Sequence, residues 1–369
     1  MKVIHCADLH LDSRLTSVLP QELAKQRKRE LLKAFLNMVD YARDNDVEAI
    51  IIAGDMFDSD SILVSTRTGV TNAILTNPSI DFYYLRGNHD MDNVLSDEDV
   101  PPDNLHFFDD TWTKYILNYK GEGNICLYGA ELNQSNSKHL CLELQPDSAD
   151  FNIVTLHGQL TGSVVKDKAE NINIKELKDK GIDYVALGHV HAYKEEKIDA
   201  RCTYCYPGCL EGRGFDECGE HGFVLLDIDE VSRTYTHEFI PFAMRMLYEE
   251  ELDVTGVSGT FETMEKIRDF LDNIAIESKH LVRIVLTGEV DVKCEIDTAM
   301  IEDSFADRFY ILKVKDSTRI RLDLDSFKKD MSLRGEFIRT VEEDESLSDE
   351  DKASIIKIGL QGFAGEDFE

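Results

Sequence analysis

The feature that most restricts this chain is a repeated juxtaposition. Five short apolar runs, 2–7, 48–53, 81–85, 151–156 and 183–187, read as buried strands, and side chains of metal-binding type follow each of them at once. Asp8 and His10 follow the first. Asp55 follows the second in AGDMFD (53–58), and Asn88, His89 and Asp90 follow the third in RGNHD (86–90). His157 follows the fourth, and His189 and His191 follow the fifth in GHVH (188–191). The carboxyl ends of parallel strands in α/β sheets open on a common crevice. The pattern therefore predicts a fold that gathers five strand ends around one site.

Between and beyond these runs the chain reads as layered α/β. A long helix is expected over 21–44, where Leu31, Leu32, Phe35, Val39 and Ala42 form an apolar stripe. A second is expected over 62–76, and a short one over 173–180 that stops at Gly181. Strand-like pieces at 111–119, 125–129, 221–228 and 233–239 have no long helices between them, so two packed sheets flanked by helices fit better than one doubly wound sheet. A turn-rich joint at 254–260 precedes a helix (261–274), a strand (281–290), a helix (295–306) and a strand (310–315). The expected division is 1–250, a small second domain at 255–320, and a C-terminal extension at 321–369. Seven of the ten residues from Glu342 to Asp351 are acidic, which reads as a solvated linker, and the apolar stretch 353–363 behind it is a candidate partner-docking segment.

With 72 acidic residues against 40 basic ones, the 369-residue chain carries a net charge of -32. That balance disfavours holding nucleic acid by bulk phosphate neutralisation, although bound divalent ions or a local basic patch reverse the sign locally. Candidate patches are Lys25, Arg27, Lys28, Arg29 and Lys33 on the long helix, whose plain reading is a solvated face, and Lys166 with Lys168 after His157. No apolar run reaches about 18 residues, so no membrane span is expected. The opening MKVIHCADLH lacks the length and cleavage motif of a signal peptide, and without one the eight cysteines do not suggest a disulfide framework. The expected compartment is the cytoplasm. The spacing of Cys202, Cys205, Cys209 and Cys218 admits a structural zinc, but scattered thiols are the preferred reading, because Cys205 and Cys209 lie within one short glycine-bearing loop.

Taken singly, a DxH, a Gly-Asp turn or a lone histidine is commonplace; GNHD and GHxH are more specific. Together, Asp8, His10, Asp55, Asn88, His157, His189 and His191 make seven ligands, too many for one tetrahedral ion and suited to two ions sharing a carboxylate. Mixed nitrogen and oxygen donors point to manganese, iron or catalytic zinc rather than thiolate zinc. Hydrolysis of a phosphate ester is a standard use of two such ions.

The ordered series DxH, GDxxD, GNHD, H and GHxH resembles that of the calcineurin-like metallophosphoesterases. DLHLDS (8–13), the long segment before AGDMFD, and YPGCLEGRGFDECGEHGFVLLDI (206–228) narrow the resemblance, over roughly 1–245, to the SbcD-type exonuclease subunits of DNA double-strand-break repair. The resemblance implies a layered α/β/β/α sandwich over 1–250 as the nuclease domain, with a smaller α/β capping domain at 255–320. It implies two divalent ions, manganese first, with magnesium, iron and zinc as alternatives. Asp8, His10 and His191 would hold one ion and Asn88, His157 and His189 the other, with Asp55 bridging. His89 would face the scissile phosphate and be oriented by Asp90, and Asp58 stands where some relatives carry a histidine that helps to position His89. The implied reaction is hydrolysis of DNA phosphodiesters. The implied partners are DNA and a coiled-coil ATPase subunit of the SbcC type, in an assembly containing a homodimer of this chain. Two other readings stay open: the same metal chemistry on a cyclic nucleotide or small phosphomonoester, and a non-catalytic interaction subunit. Missing ligands would favour the second, and none is missing.

Overall fold

Every position of AIIIA, Ala49–Ala53, is buried, as a strand covered on both faces requires. The computed structural model describes residues 1–15, 21–58, 62–90, 95, 101–117, 124–161, 171–291, 293–321, 331–344, 346–348, 351–352, 355–356 and 358–359. It places this strand, β2, inside a six-stranded sheet ordered β14 (Thr234–Pro241), β13 (Gly222–Asp229), β1 (Lys2–Cys6), β2, β3 (Asp81–Leu85) and β4 (Leu105–Phe107). Strands β1 to β4 run parallel, and β13 and β14 extend the sheet antiparallel. A second six-stranded sheet is ordered β11 (Lys194–Lys197), β12 (Thr203–Tyr206), β10 (Tyr184–Gly188), β7 (Phe151–His157), β6 (Ile125–Gly129) and β5 (Thr113–Ile116). Its four inner strands are parallel and both edges antiparallel. The edge strand β11, KEEK, is exposed at each residue, and its charges blunt an edge that would otherwise invite pairing.

Side chains alternate between the faces of a strand, and this alternation builds the layers. Val3, Ala49, Ile51, Tyr83 and Leu85 of the first sheet meet Leu127, Ile153, Tyr184, Ala186 and Cys205 of the second in one buried core between the sheets. Their neighbours Ile4, Ile50, Ile52 and Phe82 are equally buried on the opposite face. Helix α1 (Gln21–Asp44) brings a matching stripe of Leu31, Ala34, Phe35, Met38, Val39 and Ala42, and α2 (Val64–Leu75) packs beside it. Beyond the second sheet, Tyr128, Val154, Leu156, Val185 and Leu187 pack with Leu140 of α3 (Leu140–Glu143) and Leu177 of α4 (Ile174–Leu177). The result is the expected α/β/β/α sandwich. A short parallel pair, β8 (Gln159–Thr161) and β9 (Asn171–Asn173), was not foreseen, nor were β4, β11 and β12. All five are short, and strands of three or four residues carry too few alternations to register as a period.

Two compact units divide the chain, Met1–Met246 and Leu247–Glu369. The second opens with β15 (Leu247–Asp253), which pairs parallel with β16 (Leu281–Thr287), and β16 pairs parallel with β18 (Ile311–Asp316). Helices α5 (Thr260–Asn273) and α6 (Thr298–Ser304) form the two crossovers, and β17 (Glu289–Val290) pairs with β19 (Arg319–Ile320). Ile267, Leu271, Val282, Ile284, Leu286 and Ile301 fill this unit's own core. Helix α7 (Leu333–Glu342) follows, with Ile338 and Val341 packed on Ile356. No helix among the described residues is long and apolar enough to cross a membrane.

The basic run of α1 needs correction. Arg27 does not belong to a solvated face: it is fully buried and donates to Glu30 at 2.8 Å, to Glu211 at 3.1 Å and to the Gly212 carbonyl at 2.8 Å. Arg245 donates to the same Glu30 at 2.8 Å. Arg27 thus fastens α1 to the loop after β12, and its charge is spent internally. Lys25, by contrast, lies exposed against Glu22. Lys166 and Lys168 lie outside the described residues. Removing one partner of a buried ion pair strands the other charge. Arg27→Met should therefore lower unfolding free energy by about 3–5 kcal/mol in urea titration, whereas Lys25→Ala should change it by less than about 1 kcal/mol.

Candidate metal centre

The two sheets touch where β2 crosses β7 and β10, and there the site is built. The chain leaving β1 continues beside the chain leaving β2: Asp8 N–H donates to Gly54 O at 3.0 Å, His10 N–H to Asp55 O at 3.0 Å and Leu11 N–H to Met56 O at 2.9 Å. To follow that path Asp8, His10 and Asp55 take positive φ values of 53°, 44° and 52°, and His189 takes 100°. Such values strain residues with a Cβ and cluster at functional sites. The contact itself depends on glycine. A Cβ on Gly188 would fall 1.9 Å from Ala53 O, and one on Gly54 would fall 2.1 Å from His157 Nδ1.

Into this contact the predicted side chains converge. Asp8, His10, Asp55 and His157 are almost wholly buried, His191 is partly exposed, and Asn88 and His89 lie at the solvent. One donor atom each from Asp8, His10 and His191 lies within 4.8 Å of the other two, and the same holds for Asp8, Asp55 and His157. Asp55 Oδ2 is 3.3 Å from His157 Nε2 and 3.8 Å from His10 Nε2. His10 Nε2 is 3.2 Å from His191 Nε2, and His157 Nε2 is 3.1 Å from Asn88 Oδ1. The His189 ring lies edge-on to that of His157, with centroids 5.4 Å apart, and its backbone N–H donates to Asp8. His157 Nδ1 donates to Ala53 O at 2.9 Å, which leaves its Nε2 lone pair for an ion. Two imidazole nitrogens and two carboxylate oxygens gathered around buried His10 are a donor set that fits a divalent cation; Asp8 is common to both groups, and Asp55 lies within 3.8 Å of His10 and of His157.

The electrostatics of the site agree. Burial pushes the Asp8 carboxyl up to about 6, against the pull of His157 and His191. Burial, reinforced by Arg213, depresses the His10 imidazole to about 2. Burial alone would depress His157 too, but the Asp55 carboxylate outweighs it and holds that ring at about 9. Asp55 stays well below the usual carboxylate range, because its bond to His157 overrides its burial. Asp55 and His157 thus stabilise opposite charges on each other across 3.3 Å, and a cation held by both would take the place of the proton they share when no ion is bound.

Of the two carboxylates expected around His89, Asp58 meets its ring and Asp90 does not. Asp90 does not supply the carboxylate at that ring. It accepts backbone N–H groups from Phe57 at 2.8 Å, Gly87 at 2.9 Å and Met56 at 3.3 Å, tying the turn after β3 to the loop after β2. Adjacent residues in a tight turn point apart, so Asp90 fixes the backbone while His89 faces out. The carboxylate at His89 is Asp58, 3.0 Å from Nδ1, which also accepts from Ser13 Oγ at 2.7 Å. Sequence reasoning gave no role to Glu217, although GRGFDE (212–217) was part of the resemblance. Its Oε1 lies 2.7 Å from His191 Nδ1, and a carboxylate at that nitrogen orients an imidazole whose other nitrogen faces a metal. The cysteines form no site among the described residues. Cys202 and Cys205 point to opposite faces of the second sheet, and Cys209 packs against His221 at 3.2 Å.

Residues 1–193 match the family model of the calcineurin-like phosphoesterases. Among similar proteins, an uncharacterized metallophosphoesterase, YhaO, of Bacillus subtilis is 28% identical over 298 residues, covering 77% of this chain and 71% of that protein. The DNA double-strand break repair protein Mre11 of Methanopyrus kandleri is 25% identical over 285 residues, 70% of this chain and 60% of that one. Mre11 of Haloferax volcanii is 25% identical over 315 residues, 82% and 65% respectively. The chain thus spans less than two thirds of the length of these two Mre11 proteins. The family match covers more than half of the chain, and the chain belongs to the calcineurin-like phosphoesterase family.

The close approach of the sheets makes a geometric prediction. Gly188→Ala puts a methyl into the space of Ala53 O and should destabilise by at least about 1–3 kcal/mol through overpacking. Gly219→Ala, with nothing within 4 Å of the added carbon but a φ of 105°, should lose only the smaller cost of backbone strain. Paired chemical denaturation curves measure the difference.

Proposed function

We propose that this calcineurin-like phosphoesterase is a metal-dependent DNA exonuclease, acting with a coiled-coil ATPase partner of the SbcC type and as a homodimer within that assembly. The observation that carries the reading is the shared carboxylate: Asp55 Oδ2 faces both His157 Nε2 at 3.3 Å and His10 Nε2 at 3.8 Å. Asp8, His10 and His191 would hold one divalent ion, Asn88, His157 and His189 the other, and Asp55 both. Manganese is the first choice for a mixed nitrogen and oxygen set. Two such ions supply Lewis acidity toward a phosphodiester and its attacking water.

The chain's own groups do the rest. His89 is about half exposed, and its Nδ1 is engaged by Asp58 at 3.0 Å, so Nε2 is left to meet a phosphoryl or leaving oxygen and to hold a proton there. Asp90 holds the His89 turn against the Asp55 loop, and Glu217 holds the ring of His191. DNA as substrate is supported by the resemblance over 8–13 and 206–228, and by similarity to proteins named for double-strand break repair.

Three measurements test this. Elemental analysis of the manganese-loaded chain should find two ions, and Asp55→Ala should lose both. His89→Ala should retain two ions while the rate falls about 10²–10⁴-fold; loss of metal would sink its assigned role. Linear duplex DNA with Mn²⁺ should be degraded from its ends, with and without the ATPase. Hydrolysis of bis-p-nitrophenyl phosphate with DNA left intact would instead establish a small-substrate phosphodiesterase.

A further inference from the structure

A chain of charge-assisted contacts joins the two sides of the site. Arg213 Nη1 donates to Asp58 Oδ2 at 3.2 Å, and Nη2 donates to Glu217 Oε1 at 3.0 Å. Asp58 in turn engages His89 Nδ1 at 3.0 Å, and Glu217 engages His191 Nδ1 at 2.7 Å. Arg213 therefore contacts both the carboxylate behind the exposed histidine and the carboxylate behind a candidate metal ligand. Its Nη2 also lies 3.2 Å from His191 Nδ1. Both nitrogens are donors if the ring gives its proton to Glu217, and the shorter contact to the charged oxygen decides for that arrangement. His191 Nε2 is then left with its lone pair.

The turn that carries Arg213 is itself braced. The Arg213 backbone N–H donates to Glu217 Oε2 at 2.7 Å, and Glu217 N–H donates to Gly214 O at 2.9 Å, so the turn closes on its own side chain. His221 braces the turn from behind through the Glu217 carbonyl at 2.8 Å. A planar fork holds two carboxylates at fixed separation and orientation, whereas an ammonium is a point charge with freely rotating donors that fixes neither.

We propose that Arg213 is a positioning residue that sets His89 and His191 in register with each other, so that the group facing the substrate and the metal ligand are aligned by one guanidinium. This rests on the function inferred above for those two histidines. It predicts a coupled defect, in both ion affinity and turnover, from a residue that needs to touch neither ion nor substrate.

The test uses the full chain as Arg213→Lys, which keeps the charge, with Arg213→Ala beside it. In the metal-free protein, ¹⁵N-edited imidazole spectra should show Nδ1–H on both His89 and His191 in the unmodified chain. The lysine variant should lose or broaden the His89 signal at an unchanged melting temperature. In the loaded protein, calorimetry with Mn²⁺ should show one of two sites weakened about 10–100-fold, the usual effect of an outer-shell partner. On bis-p-nitrophenyl phosphate, kcat should fall at least tenfold with KM within twofold. Unchanged imidazole signals together with unchanged ion affinity in both variants would overturn the proposal. A defect only in Arg213→Ala, fully restored by lysine, would also overturn it, because charge alone would then suffice. If the unmodified chain binds no Mn²⁺, the functional reading fails by that control, and the spectra of the metal-free chain still decide the coupling.

Discussion

The site depends on how closely two sheets approach at one point. Gly188 and Gly54 allow β10 and the end of β2 to come near enough that His157 donates across the gap to the carbonyl of Ala53. Everything else follows from that bond. It orients the His157 ring, which faces Asp55, which in turn faces His10. Were the sheets separated by one methyl more, the seven donors would still lie after their strands, but as two half-sites.

The large elements were legible because their signals are long or periodic. The helix over 21–44 has several turns of apolar stripe, and the five inner strands are continuous apolar runs of the kind that two-sided burial demands. The donors were legible because each stands at a strand end, where topology alone brings it to a crevice. What the sequence hid is lateral. That Asp58 rather than Asp90 meets His89 depends on the direction of two side chains in a turn. That Arg27 is buried beside Glu211 depends on a contact 184 residues away. The pairing of Glu217 with His191 has no period and no fixed spacing, so only the folded loop reveals it.

The acidic balance of the chain also looks different with its geometry known. Three of the strongest internal cations, Arg27, Arg213 and Arg245, are neutralised by Glu30, Glu211, Glu217 and Asp58. Arg27 and Arg213 fasten the loop that carries Glu217, and Arg245 secures Glu30 on α1. Of the α1 run, Lys25, Arg29 and Lys33 stay exposed, while the charge of Arg27 is taken up inside the fold.

Four donors, Asp8, His10, Asp55 and His189, keep their Cβ in backbone conformations that favour glycine. A left-handed residue costs about 1–2 kcal/mol, and aspartate and asparagine tolerate that region better than most. At His10 and His189 that strain is borne by histidine, which tolerates the region less well than aspartate or asparagine, so part of the fold's stability is held in tension at the same two rings that face the candidate metal centre.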